Sequence, residues 1–178
     1  AGNTGVAAYG VIANLWFIVV SMFTGISQGM QPIMSHNYGK GKYGNVNKIL
    51  KYGLILMGTF AAAIYAVMFF GSEYVAAIFN SEHNETLQYI AEEGLKLYYI
   101  ACPFVGFNII ISIFFTSTEY PVPAHIISIL RGFALIIPMA FIMLFAGGRI
   151  GLWMAFPVTE MIVTVIGIIL YIMRNRKL

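Results

Sequence analysis

The chain has 178 residues, 60% of them hydrophobic and 10% charged, with 10 basic and 7 acidic side chains and a net charge of +3. Soluble domains carry about a quarter charged residues, so a chain this poor in charge has too little polar surface to face water. The composition argues against a soluble globular enzyme, a disordered region and a nucleic-acid-binding domain. The mean hydropathy is +0.82. The lone Cys102 excludes an internal disulfide and a cysteine-pair metal site.

A bilayer core of roughly 30 Å is crossed by about 20 apolar residues. Five segments reach that length, near 5–35, 48–70, 92–117, 123–146 and 150–173. Their runs are continuously apolar, which predicts helices rather than the alternating strands of a barrel. The fold class expected is an all-α integral membrane protein with five transmembrane helices. The first segment carries Gly25, Gly29 and Pro32 in its second half, where the missing proline N–H predicts a bend. The second ends at Gly71-Ser72-Glu73. Between them, Gly39-Lys40-Gly41-Lys42 lacks the ending and the preceding strand of a phosphate loop and reads as a basic turn.

Residues 84–99 have apolar positions at helical spacing and predict an interfacial helix with its tyrosines at headgroup level. Asn84-Glu85-Thr86 matches a glycosylation acceptor, a pattern short enough to arise by chance. The third segment holds Pro103 and Gly106, another expected bend. The fourth follows the break at Tyr120-Pro121-Val122-Pro123 and contains Pro138. The fifth follows Gly147-Gly148-Arg149 and contains Pro157.

Charge placement sets the expected orientation. Lys40, Lys42, Lys48 and Lys51 lie between the first two segments, and Arg174, Arg176 and Lys177 follow the last. Four crossings separate the clusters, which puts both on one side, expected to be the cytoplasm. Glu73, Glu82, Glu85, Glu92 and Glu93 fall on the other side, together with Arg149. The expected location is the plasma membrane, multi-pass, with a cytoplasmic C-terminus. A start on the outer side is awkward without a signal segment, so one further span is expected upstream of Ala1.

Residues 25–42, Gly-Ile-Ser-Gln-Gly-Met-Gln-Pro-Ile-Met-Ser-His-Asn-Tyr-Gly-Lys-Gly-Lys, resemble a signature of the multidrug and toxic compound extrusion (MATE) family. Further likenesses follow in order at Phe79-Asn80-Ser81, at Phe114-Phe115 through Pro123, at Ser128-Ile129-Leu130-Arg131 and at residues 153–160. The resemblance covers essentially the whole chain. It implies a transporter of twelve helices in two lobes that exports drugs and organic cations in exchange for Na⁺ or H⁺. It further implies that residues 1–178 are the C-terminal lobe, with the N-terminal lobe and one helix missing. The partners implied are the bilayer, that missing lobe and a small organic cation, with no nucleic acid, no cofactor beyond the coupling ion and no enzymatic activity. Acidic cation-binding residues of some members have no counterpart here, because Asn108 is the most polar side chain of the corresponding helix. A lipid or polysaccharide flippase of the same superfamily is the alternative, and it would need a more basic cavity.

Glu160 is the only acid placed deep in an apolar segment. Ten residues at 1.5 Å put it about 15 Å from the start of the fifth span, near the midplane. Trp153, Pro157, Glu160, Thr164, Gly167 and Tyr171 share one helical face, expected to point inward. A carboxylate at that depth is costly, so Glu160 either binds a proton or a cationic substrate, or is a structural acid paired to a neighbour. Arg131 is at similar depth. It pairs with Glu160 or snorkels to the phosphates, and Glu119 is a third possible partner. Gln28 and Gln31 either line a cavity or bond neighbouring helices, while Gly25 and Gly29 carry a small-residue packing signal. Asn108 and Ser112 share a face of the third span. Trp16, Phe17, Tyr65 and Phe141 suit cation–π attraction or ordinary packing. His36, His83 and His125 are too scattered for a metal site.

Overall fold

The computed structural model describes residues 2–80 and 83–175. Glu82, Arg176 and Lys177, named above for orientation, lie outside the described residues. The elements are α1 (Gly2–Gly39), α2 (Tyr43–Phe70), α3 (Ser72–Phe79), α4 (Glu85–Tyr98), α5 (Cys102–Ser117), α6 (Pro121–Ile129) and α7 (Ile136–Asn175). Among the described residues there are no strands.

Four helical stretches are long and apolar enough to cross a membrane: Thr4–Gly39, Tyr43–Phe70, Glu85–Ser117 and Ile136–Arg174. The last is a hairpin. Gly148 at φ 55°, ψ −130° breaks α7, a backbone geometry that a side chain disfavours. The two arms approach so closely at the turn that a Cβ on Gly151 would run into the carbonyl oxygen of Met143. The first arm also continues from α6, so five helical rods cross the bundle, at the five places the hydropathy marks.

Three boundaries differ from the sequence reading. The first helix extends to Gly39 and the second begins at Tyr43, so the basic turn is short and is closed by Gly41 at φ 69°. Residues 72–79 form a separate short helix. The helix predicted over 84–99 is present as α4, exposed at Glu85, Thr86 and Tyr89 and packed on α1, α3 and α7 through the apolar face that buries Ile90, Leu95 and Tyr98. It runs into α5 through a single 3-10 turn at Tyr99–Ala101, directly before Pro103. Asn84, the glycosylation candidate, instead caps α4, its Oδ1 accepting from the Leu87 N–H at 3.0 Å.

The core sits around α5, which touches α1, α2, α6 and α7. Val105, Ile110, Ile111, Phe114 and Phe115 are buried there. Large apolar side chains also cover the outside, with Phe70 82% and Phe145 87% exposed. Hydrophobic residues on both sides of a helix belong to a protein whose solvent is lipid.

Candidate functional site in the membrane interior

The expected inward face of the second α7 arm does point inward: Trp153, Pro157, Glu160 and Gly167 are buried, and Thr164 and Tyr171 are half-buried. Glu160 is 1% exposed. Its carboxylate is held from two neighbouring rods. Arg131 Nε donates to Oε1 at 3.0 Å, with a second guanidinium nitrogen also 3.0 Å away. Asn108 Nδ2 donates to Oε2 at 2.7 Å and to the Glu160 carbonyl at 3.1 Å. The Thr164 hydroxyl lies 2.9 Å from the same carbonyl and 3.2 Å from Asn108 Oδ1. Ser112 closes the edge by donating to the Asn108 carbonyl at 2.7 Å.

The pairing of Arg131 with Glu160 replaces the snorkelling alternative, because a nearby carboxylate at the same depth satisfies the guanidinium without a route to the headgroups. Glu119 is exposed in the turn before α6 and takes no part. The charges cancel within the cluster, so burial leaves neither unpaired. An unpaired ion in this surrounding would cost several kcal/mol.

Arg131 stands in a local irregularity that the sequence reading missed. Residues Leu130–Ala134 form a π-helical turn in which Leu135 N–H donates to the Leu130 carbonyl at 2.9 Å. Pro138 lies four residues beyond Ala134 and has no N–H for its carbonyl, and its ring would crowd that carbonyl in a regular helix. One extra residue in the preceding turn relieves the conflict, and such turns occur often at functional sites. The proline was visible in the sequence; the direction of its compensation was not.

Pro103 therefore follows a 3-10 turn and Pro138 a π turn, whereas α1 is unbroken through Pro32 and the second α7 arm through Pro157. At Pro32 the absent N–H frees the Gln28 carbonyl. Gln28 is exposed and Gln31 half-buried, and neither amide has a hydrogen-bond partner among the described residues. Gly25 and Gly29 are exposed with nothing within 4 Å of a Cβ on either, so their packing signal is not used within this chain. Trp16 is buried among Tyr98, Tyr99 and Phe156, edge-on to each at 5.1–5.4 Å, while Phe17 and Phe141 are exposed.

Toward the end that carries the acidic residues, a cavity of about 520 Å³ opens between α1, α4 and both arms of α7. Tyr9, Tyr98, Ile136, Trp153 and Phe156 line it, with Arg149 at its wall. Phe156 is stacked on Tyr98 at 4.8 Å and lies one helical turn before Glu160, so the aromatic wall ends about 6 Å along the axis from the ionic cluster. Arg149 is itself engaged: its Nε donates to Glu93 Oε2 at 2.8 Å, and its guanidinium lies 5.4 Å from the Tyr89 ring. Among the described residues no group of His, Cys, Asp and Glu is arranged to hold a metal.

A family model described as MatE matches residues 1–142. A Shewanella oneidensis protein described as an FAD transporter is 22% identical over 178 aligned positions, taking in 98% of this chain and 37% of its own length. A transporter of the MOP superfamily from Pyrococcus furiosus superposes with a TM-score of 0.88 at 17% identity, over 97% of this chain and 39% of its own. A MATE transporter of Vibrio cholerae gives 0.89 at 18%, over 99% and 40%. The chain thus spans well under half the length of the relatives it matches, and at these identities the solved structures speak for the fold.

Proposed function

The chain belongs to the MatE family, whose members are transporters and not enzymes, and on that premise we propose that it is the C-terminal lobe of an antiporter. The whole protein would expel organic solutes from the cell in exchange for Na⁺ or H⁺. The single observation that carries this reading is a fully buried carboxylate, Glu160, one turn below an aromatic cavity. Ionisable groups at such depth are rare and mark ion or substrate paths. A coupling ion bound at the Glu160 carboxylate competes with Arg131 and Asn108 for their shared acceptor. Three rods are then free to shift against one another, as alternating access requires.

The same geometry favours one refinement of the cargo. Glu160 is neutralised by Arg131 and offers no free negative charge to an organic cation. The aromatic faces of the cavity suit a flat heterocyclic solute, and the Shewanella relative is described as a transporter of FAD. The flippase alternative gains nothing, since the one arginine of the cluster is already balanced. In the full-length transporter, Glu160→Gln strands the Arg131 guanidinium and should lower the folded yield, and the folded fraction, reconstituted in equal amount with wild type, should lose more than tenfold of its export in proteoliposomes. Unchanged export by that variant would remove the coupling role. Uptake of a fluorescent organic cation compared with flavin adenine dinucleotide separates the two cargo classes.

A further inference from the structure

A second concavity, of about 320 Å³, lies between α2, α5 and the second arm of α7, away from the Glu160 cluster. Its lining changes character along its length. Leu54, Ile55, Phe107, Ile111 and Ile168 make the part nearer the middle of the rods, and Asn47, Lys51 and Tyr171 make the part nearer the lysine-bearing end. Lys51 is eight residues into α2, about 12 Å from the first turn, the depth of a lysine that snorkels from an apolar helix. Its ammonium has no ion pair among the described residues, and the Asn47 amide and Tyr171 hydroxyl have no hydrogen-bond partner there. Three donors converging on one groove with no protein acceptor are suited to an acceptor from outside the bundle.

A second positive charge stands on the same wall. Arg174 lies 4.7 Å over the Phe114 ring, and Phe114 packs on Tyr171 at 5.4 Å. The end where these groups sit also carries Lys40, Lys42 and Lys48, all exposed. Basic grooves between membrane helices bind anionic headgroups, and an apolar channel leading from such a group toward the bilayer centre has the shape of an acyl chain. We propose that this groove holds an anionic phospholipid, its phosphodiester at Lys51, Asn47 and Tyr171 and one acyl chain along Leu54, Phe107 and Ile168.

This site goes beyond the transport reading and does not depend on it. The experiment is native mass spectrometry of the full-length protein in detergent, with phosphatidylglycerol and phosphatidylcholine of identical chains. Wild type should retain phosphatidylglycerol preferentially. Lys51→Ala should reduce that preference roughly five-fold, the worth of one lysine at a lipid surface, and Lys51→Arg should keep it. Tyr171→Phe, which deletes a single hydroxyl, should give a smaller loss and serves as the reading if Lys51→Ala does not yield folded protein. Equal retention of the two lipids overturns the proposal, as does a preference untouched by the two disruptive variants. So does a full-length protein with no retained lipid, in which the rest of the chain fills the groove. Displacement by millimolar glycerol phosphate would make the site one for a soluble phosphate and overturns it too.

Discussion

Two arginine–glutamate pairs tie α7 or the π turn before it to another rod, and they behave as opposites. Arg149 and Glu93 meet at 2.8 Å at the acidic end, with side chains 39% and 17% exposed. Arg131 and Glu160 meet at 3.0 Å, 22% and 2% exposed, among further donors from Asn108. Outside the bilayer core, water can take either partner of the first pair when the other is gone. In the interior nothing replaces a lost partner, so the same chemistry turns from an accessory contact into a condition of folding. Position in the membrane, and not the identity of the pair, decides its weight.

The comparison breaks first at Arg131. Replacing it with alanine leaves Glu160 charged and short of donors, and the expected loss is about 3–5 kcal/mol, read as collapse of the monodisperse peak in detergent gel filtration. Combining it with Glu160→Gln should recover most of that peak, because the orphaned charge is gone; failure to recover would mean that the guanidinium acts through packing alone. Asn108→Leu removes the hydrogen bonds to Glu160 without removing a charge, for an expected cost of about 1–3 kcal/mol in a thermal-shift assay.

At the acidic end the order of importance reverses. Gly94 is adjacent to Glu93, and a Cβ there would collide with Ile12 and lie 3.0 Å from the Trp153 ring. Gly94→Val should cost about 1–3 kcal/mol by overpacking, more than the loss of the neighbouring ion pair. Arg149→Ala should cost under about 1 kcal/mol, and the effect should shrink further at high salt; a loss as large as that of Arg131→Ala would refute the contrast between the two ends. The smallest effect belongs to Gly25→Ala on the open face of α1, within about 0.5 kcal/mol on stability, because nothing lies within reach of the added methyl group.

Much of this arrangement was legible in the residues. Glu160 announced itself as the one acid in a deep apolar run, and Arg131 as a candidate partner at equal depth across a short turn, with snorkelling and Glu119 left open until the packing decided. Asn108 was visible as the polar residue of its helix, though not as the second support of the same carboxylate, because that depends on the rotation of α5. The proline signal was legible only in part. Pro138 and Pro103 coincide with irregular turns, while Pro32 leaves α1 unbroken. The α4 segment was legible as a helix, and the apolar positions of its pattern, Ile90, Ala91, Leu95 and Tyr98, are the ones it buries. Its packing of Tyr98 and Tyr99 beside Trp16 was not legible, because it depends on where α1 lies.

By itself the sequence determined the solvent of this protein and the number of its crossings, since length and hydropathy along a helix are local properties of the chain. It also determined the hairpin at Gly148, because only a residue without a side chain readily takes that backbone geometry. The tertiary structure decided which polar groups satisfy one another, where the aromatic cavity opens and which faces remain uncovered. Those outcomes depend on the rotation and register of rods distant in the chain, which no local pattern of residues specifies.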